Sequence, residues 1–204
     1  MLQENCYVVS DDTKECVIID CGAYYDEEGK AIVDYINSNG LHPVHLLVTH
    51  GHIDHNFGNH IVFKAFGLRP EVSGQDEDYI INLSEQAERI FHISFDIEPV
   101  SPIKIFKENE TITFGNHKLK ILETPGHSRG SVCFYEEDEH VLFTGDTLFR
   151  NSIGRTDLGG GSMMQIIQSL RFLAQLPDDT EVYPGHGAKT TIGFELEHNP
   201  YMER

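Results

Sequence analysis

No apolar run in the chain approaches the ~20 residues that a bilayer-crossing helix needs. The opening stretch, MLQENCYVVS, lacks a basic region followed by a long apolar core. It therefore does not read as a secretory signal, and the expected compartment is the cytoplasm. Basic residues are scarce: Lys and Arg number 15 against 33 Asp and Glu, for a formal charge of -18. Such a surface repels phosphate backbones and anionic lipid, which argues against nucleic acid and membrane as partners. The four cysteines, Cys6, Cys16, Cys21 and Cys133, form no CxxC pair and lie in or beside apolar stretches. They read as small buried hydrophobes of a reducing compartment, not as a disulfide framework or a thiolate metal site. Internal repeats and low-complexity linkers are also missing, so residues 1–204 are expected to form one domain.

What is present is ordinary globular composition, 39% hydrophobic, with a readable order of elements. CYVVS and CVIID flank the polar turn DDTKE and read as a hairpin. DEEGKAIVDYINSNGL carries Ile32, Val33 and Ile36 at helical spacing and stops at Asn-Gly. VHLLVTH is a buried strand, and NHIVFKAFGL is a helix ending at Gly67. The stretch from Gln75 to Ile97 is amphipathic, with NLSEQAERIFHI helical. KIFKENETITFGNHKLKILET reads as strands joined by an Asn-Glu and a Gly-Asn turn. SVCFYEEDEHVLFTGD is a hairpin, SMMQIIQSLRFLAQL a helix stopped by Pro177, and TEVYPGHG a last strand. The second half thus repeats the logic of the first: hairpin, helix, then a strand running into a histidine loop. That order argues for α/β layering.

The histidine loops carry the chemistry. VTHGHIDHNFGN places His50, His52, Asp54 and His55 within six positions. Imidazole and carboxylate are ligands that zinc, iron and manganese share. His50 and His52 alternate just past a strand, so an extended backbone aims both rings one way. Asp54 and His55 begin the next turn and can face a second point, which suggests two metals. Each metal needs further ligands, and three candidates follow apolar strands: His127 in LETPGHSRGS, Asp146 in VLFTGDTLF and His186 in EVYPGHG. Strand ends along one rim of a sheet are where α/β proteins place sites. Asp146 is the residue expected to bridge two cations through its two oxygens. His42, His45, His60, His92, His117, His140 and His198 read as ordinary surface or hydrogen-bonded histidines.

These segments resemble the metallo-β-lactamase-fold superfamily. THGHIDH is similar to its T-H-x-H-x-D-H signature, and TPGHSRGSVCFY, LFTGDTLF and YPGHG resemble its later metal motifs in the same order. GDTLFRNSIGRTDL and TTIGFELEHNPYM resemble the glyoxalase II-like (hydroxyacylglutathione hydrolase-like) branch. The resemblance implies a four-layer αββα sandwich and two divalent metal ions, most often zinc, with iron or manganese as alternatives. It implies one metal on His50, His52 and His127, a second on Asp54, His55 and His186, and Asp146 between them. It also places Asp20 just behind the site, hydrogen-bonding a ligand. The chain lacks the basic helical extension of the classical glyoxalase II enzymes, so it looks like the short single-domain subgroup.

The expected activity is hydrolysis of a small-molecule thioester of the S-lactoylglutathione type by a metal-bridging hydroxide, with Asp54 and Asp146 catalytic. Arg155, in NSIGRTDLGGGS, is a candidate for binding a substrate carboxylate, or else pins its loop through Asp157. Gly159 to Gly161 read as a tight turn, since no Lys-Ser/Thr follows to cradle phosphate. The nearest rival is a mononuclear iron persulfide dioxygenase, which the GRTD loop also resembles. A hydrolase of another acyl or ester substrate, and a non-catalytic metal-binding protein, are further alternatives.

Overall fold

The computed structural model describes residues 3–94, 99–107 and 110–202. Strands β1 (Tyr7–Ser10) and β2 (Glu15–Ile19) form the first hairpin, with Tyr7 opposite Ile19. Asp11 closes its turn by accepting from the Thr13 N–H at 2.9 Å, the local bond that favours Asp in turns. Helix α1 (Asp26–Ser38) opens on three acids, Asp26, Glu27 and Glu28, which suit the positive helix start. Strand β3 (His42–Leu47) then lies parallel to β2. Helix α2 (Asn59–Phe66) ends on Gly67 at φ 73, a left-handed cap that glycine adopts at little cost.

Strands β4 (Pro70–Val72) and β5 (Lys104–Ile105) extend this sheet in parallel. Between them run α3 (Glu77–Ile81), α4 (Leu83–Gln86) and one turn of π-helix, Ala87–Phe91. The remaining strands are β6 (Thr111–Phe114), β7 (His117–Glu123), β8 (Val132–Glu136), β9 (Val141–Gly145), the short pair β10 (Leu148–Phe149) and β11 (Ser152–Ile153), β12 (Glu181–Pro184) and β13 (Thr190–Thr191). Helix α5 (Met163–Leu173) precedes β12, and α6 (Ile192–His198) follows β13. The two main sheets run β1-β2-β3-β4-β5 and β13-β12-β9-β8-β7-β6.

Alternation along the strands builds the layers. From the first sheet, Val17, Ile19 and Leu47 turn inward and pack on Ile112, Leu119, Val132, Phe134 and Phe143 of the second. Their neighbours Cys16, Ile18 and Leu46 turn outward onto Ile36 of α1 and Val62 of α2. On the far side, Cys133, Tyr135, Leu142 and Val182 meet Leu170 and Leu173 of α5 and Ile192 of α6. The result is the αββα sandwich. Both halves use one plan: β2 is parallel to β3 across α1, and β9 is parallel to β12 across α5.

One expectation needs correction. The segment from Lys104 does not continue as a meander, because β5 closes the first sheet and β6 opens the second. The Asn-Glu turn expected there falls on 108–109, and the end of the amphipathic stretch falls on 95–98, both outside the described residues. Strands β10 and β11 and helix α6 were not legible in the sequence.

Candidate metal centre

Strand β3 runs fully buried through Leu46 and Leu47 and delivers His50 just past its end. Asp20, at the end of β2, fixes the loop that follows. Its Oδ1 accepts from the Thr49 N–H at 2.8 Å, and its Oδ2 accepts from the Thr49 hydroxyl at 2.7 Å. The same Oδ2 lies 2.9 Å from His55 Nδ1, so the imidazole donates there and turns its bare Nε2 toward the site. Asp20 sits at φ 48, a left-handed conformation that Asp tolerates better than most residues. Asn56 donates its amide to the carbonyls of His50 at 3.1 Å and His52 at 2.7 Å. The donor loop is therefore tied at several points by groups of its own.

The second half supplies the rest. His127 donates Nδ1–H to the Arg155 carbonyl at 2.8 Å, which leaves its Nε2 bare. That nitrogen lies 3.2 Å from His50 Nε2 and 2.8 Å from His52 Nδ1. Three imidazole nitrogens thus face one point. Nitrogens on a tetrahedral zinc would stand about 3.3 Å apart, given metal bonds of roughly 2.0–2.1 Å, so the spacing suits such an ion. A second group forms beside it: Asp54 Oδ2 is 3.4 Å from His186 Nε2 and 3.9 Å from His55 Nε2. Asp146 lies between the two groups. Its Oδ2 is 3.5 Å from His127 Nε2 and 3.6 Å from His186 Nε2, and its Oδ1 is 3.3 Å from His55 Nε2.

Two observations show that this donor set fits divalent cations. His55 Nε2 and Asp146 Oδ1 are buried and make no hydrogen bond, a costly state for a polar atom unless a further partner belongs there. The donor atoms of His50, His52 and His127 also cluster within 4.8 Å of one another, as do those of Asp54, His55 and His186. A third grouping, Asp20 with His50 and His55, is already satisfied by the bonds from Thr49 and His55. The seven sequence-predicted donors all meet here, with Asp20 behind them. By contrast, His45 bonds Glu71, His117 faces Glu136 and His140 pairs with Asp179. All four cysteines are free thiols.

Electrostatics divide the two groups. Burial, then the neighbouring histidines, holds His50 well below the usual imidazole range; burial and His127 take His52 down to about 3. His50 and His52 are thereby favoured as neutral nitrogen donors. Burial also works against charge on His55, but Asp146, Asp20 and Asp54 outweigh it and raise its pKa. Burial likewise opposes ionisation of Asp54 and Asp146, and His55 overcomes it to lower both. The second group is a mixed acid–base cluster in which a cation can replace protons.

Several residues escaped the sequence reading. Asp76, fully buried, accepts from the N–H of Gly51 at 2.9 Å, the Ser128 hydroxyl at 2.6 Å and the N–H of Gly130 at 2.8 Å. It links the His50–His55 loop to the His127 loop. Gln86 donates to the Gly51 carbonyl at 3.1 Å, so both sides of that peptide are held. Glu195 accepts from the Thr190 hydroxyl, the Asn151 N–H and the Asn199 amide, at 2.5, 2.8 and 2.8 Å. It clamps the β10–β11 turn ahead of Arg155. Glu4 bonds the Gly22 N–H at 3.2 Å and comes 4.0 Å from His55 Nδ1; burial pushes its carboxyl up to about 9. Glu195 lies in TTIGFELEHNPYM and Asp76 in the acidic run QDED, where nothing set either apart from its neighbours.

Among the described residues, two recesses reach the donor set. One, of about 380 Å3, is lined by Asp54 with Glu4, Tyr24 and Phe57. The other, of about 490 Å3, is lined by His52 with Tyr79, Arg89 and Arg155. Arg155 makes two 2.7 Å bonds to Asp157, so the loop-pinning role is present. Three of its five donors remain. Gly161 N–H bonds the Leu158 carbonyl at 2.9 Å, which makes 158–161 a tight turn.

The sequence pattern of the Metallo-beta-lactamase superfamily matches residues 1–186. The chain is 36% identical over 203 residues to the hydroxyacylglutathione hydrolase GloC of Haemophilus influenzae, covering 98% of this chain and 93% of that protein. Among solved structures it is similar to the BLEG-1 B3 metallo-beta-lactamase, with a TM-score of 0.87, 34% identity and coverage of 98% and 95%. It is equally similar to TTHA1623 in a di-iron-bound form, with a TM-score of 0.86, 34% identity and coverage of 98% and 96%.

Proposed function

This chain belongs to the metallo-beta-lactamase superfamily, and from that premise we propose that residues 1–204 form one catalytic domain, a binuclear hydrolase of thioesters of the S-lactoylglutathione type. The observation that carries the reading is Asp146, set between two three-donor groups with one buried oxygen left without a hydrogen bond. Likeness to GloC supports the thioester class. His50, His52 and His127 would hold one ion, Asp54, His55 and His186 the other, and Asp146 both. Bound there, divalent cations, zinc before iron or manganese, supply Lewis acidity and bring the ionisation of water toward neutral pH.

The chain's own groups do the rest. Asp20 and the Arg155 carbonyl fix the tautomers of His55 and His127, so that bare nitrogens face inward. The two recesses accept the two arms of a thioester, with its carbonyl carbon between them. The Asp54 carboxylate, at the edge of one recess, accepts a hydrogen bond from the attacking water and orients it, and the proton that water gives up ends on the departing thiolate as the C–S bond breaks. Arg155, at the rim of the other, offers its remaining donors to the substrate.

A second reading, opening of a β-lactam amide, rests on the likeness to BLEG-1. The deciding experiment purifies the protein without added metal, measures bound elements, and assays thioester, β-lactam and persulfide side by side. Two metals with thioester turnover dominant are expected. Faster β-lactam turnover would favour the second reading, and one iron with oxygen uptake on persulfide would replace both.

A further inference from the structure

The recess at His52 runs against the acidity of the chain. In a chain of net charge -18, its wall holds two arginines, Arg89 and Arg155, and one acid, Asp157. Arg155 and Asp157 are bonded to each other through two contacts of 2.7 Å and largely cancel. Arg89 makes no ion pair or hydrogen bond among the described residues, so one fixed positive charge remains beside a candidate metal ligand. It stands on the turn of π-helix, Ala87–Phe91. Such turns are uncommon and occur often at functional sites. The turn is not loosely attached: Gln86, at its entry, bonds the Gly51 carbonyl between His50 and His52.

The partition that shapes this recess is also specific. Tyr79 donates its hydroxyl to the Gly159 carbonyl at 2.5 Å, which draws the glycine turn against α3. A Cβ at Gly160 would stand 3.3 Å from Arg129 Cγ, and Gly160 itself lies at φ 87. Beyond the partition, a second recess of about 370 Å3 shares Arg89 and adds Arg129, with the acids Asp78 and Glu85 in its wall. Arg89 lines both recesses, and on the inner side the acid beside it, Asp157, is already bonded to Arg155.

We propose that Arg89 is the specificity residue of the site, receiving a carboxylate carried by the substrate within the recess that opens at His52. This rests on the hydrolase reading and goes further, to the charge of the substrate. Arginine presents a planar fork that holds a carboxylate through two parallel hydrogen bonds, which lysine cannot reproduce. An acidic surface repels anions at long range, so a local cation is needed for an anionic substrate to settle. Arg129 is excluded from this contact by the Tyr79–Gly159 partition.

The test is a binding measurement that needs no turnover. Zinc-loaded protein is titrated calorimetrically with the acetonyl thioether of mercaptopropionate, a thioester analogue with a methylene between carbonyl and sulfur that cannot be hydrolysed, and with its uncharged carboxamide. The wild type should bind the carboxylate at least about tenfold more tightly. Arg89→Gln should erase that preference while leaving carboxamide binding unchanged, and Arg89→Lys should restore only part of it. Arg129→Gln, which removes the same charge from across the partition, should keep it. Equal binding of both probes by the wild type would overturn the proposal, as would a preference that survives in Arg89→Gln, since the carboxylate would then sit on the metal. Loss of the preference in Arg129→Gln would reduce the effect to general attraction and overturn it too. Parallel hydrolysis of neutral thioesters tests the hydrolase reading separately, because it can succeed or fail whatever the probes do.

Discussion

The Asp76 carboxylate accepts the N–H of Gly51, the residue between His50 and His52, at 2.9 Å. The same carboxylate bonds Ser128 and Gly130, on either side of Arg129. One buried charge therefore sets the spacing of donors that are far apart in sequence. Asp76→Asn keeps the volume but turns an amide N–H toward a backbone N–H. Metal affinity should fall about 10- to 100-fold. Competition with a fluorescent chelator reads this directly, and circular dichroism should show the fold retained.

Asp54→Ala removes a donor from the second group while leaving His50, His52 and His127 intact. Bound metal should drop from two ions to one. Thioester turnover should fall roughly a hundredfold or more, because the water held at that ion is no longer activated. Elemental analysis and steady-state kinetics on the same preparation check both, and unchanged turnover would refute the two-metal mechanism.

Gly154 lies against Asp146. A Cβ there would come 1.8 Å from the Asp146 carbonyl oxygen and 3.0 Å from His127 Nδ1. Gly154→Ala must therefore shift one of those segments. We expect destabilisation of about 1–3 kcal/mol, the usual cost of overpacking, together with loss of metal. Denaturant unfolding of chelated and metal-loaded protein separates the two effects.

Glu195 is buried and fully bonded, so Glu195→Gln leaves donors facing donors around the β10–β11 turn. A loss of about 1–3 kcal/mol follows. In a chain of this size that lowers Tm by about 2–4 °C for each kcal/mol. The turn leads to the Arg155 carbonyl that orients His127, so kcat should fall as well. A mutant with lower Tm and unaltered kcat would show that the clamp acts on stability alone.

In the metal-free site burial works against charge on His55 and His186, but Asp146 outweighs it for His55 and Asp54 for His186, and both pKa values are raised. Each ring therefore holds a proton to higher pH than a free imidazole would, and that proton must leave when a cation enters. Apparent metal affinity should therefore rise with pH and level off once both rings are neutral. Chelator competition across a pH series measures the slope; a flat profile would show that no proton is released.

Much of the site was legible because metal chemistry restricts which residues can serve. Histidine and aspartate at strand ends have few bland explanations in combination, and His50, His52, Asp54, His55, His127, Asp146 and His186 do converge. The α/β layering was legible from the order of hairpin, helix and strand, and the four-layer sandwich from the resemblance of the histidine motifs. Asp76, Gln86 and Glu195 were not, because their roles depend on which backbone groups tertiary packing brings near. The meander expected from Lys104 failed for a related reason: strand pattern gives face but not sheet membership, and β5 and β6 part company over a few residues.

The pairing of donors from both halves has a consequence for biosynthesis. His50, His52, Asp54 and His55 leave the ribosome early, whereas His186 emerges only after β12. A nascent chain can offer one cation a partial cage but cannot retain a pair. If two cations bind as proposed, the second cage is completed only when translation is almost finished, so a chain can be folded in outline before both cations have a place.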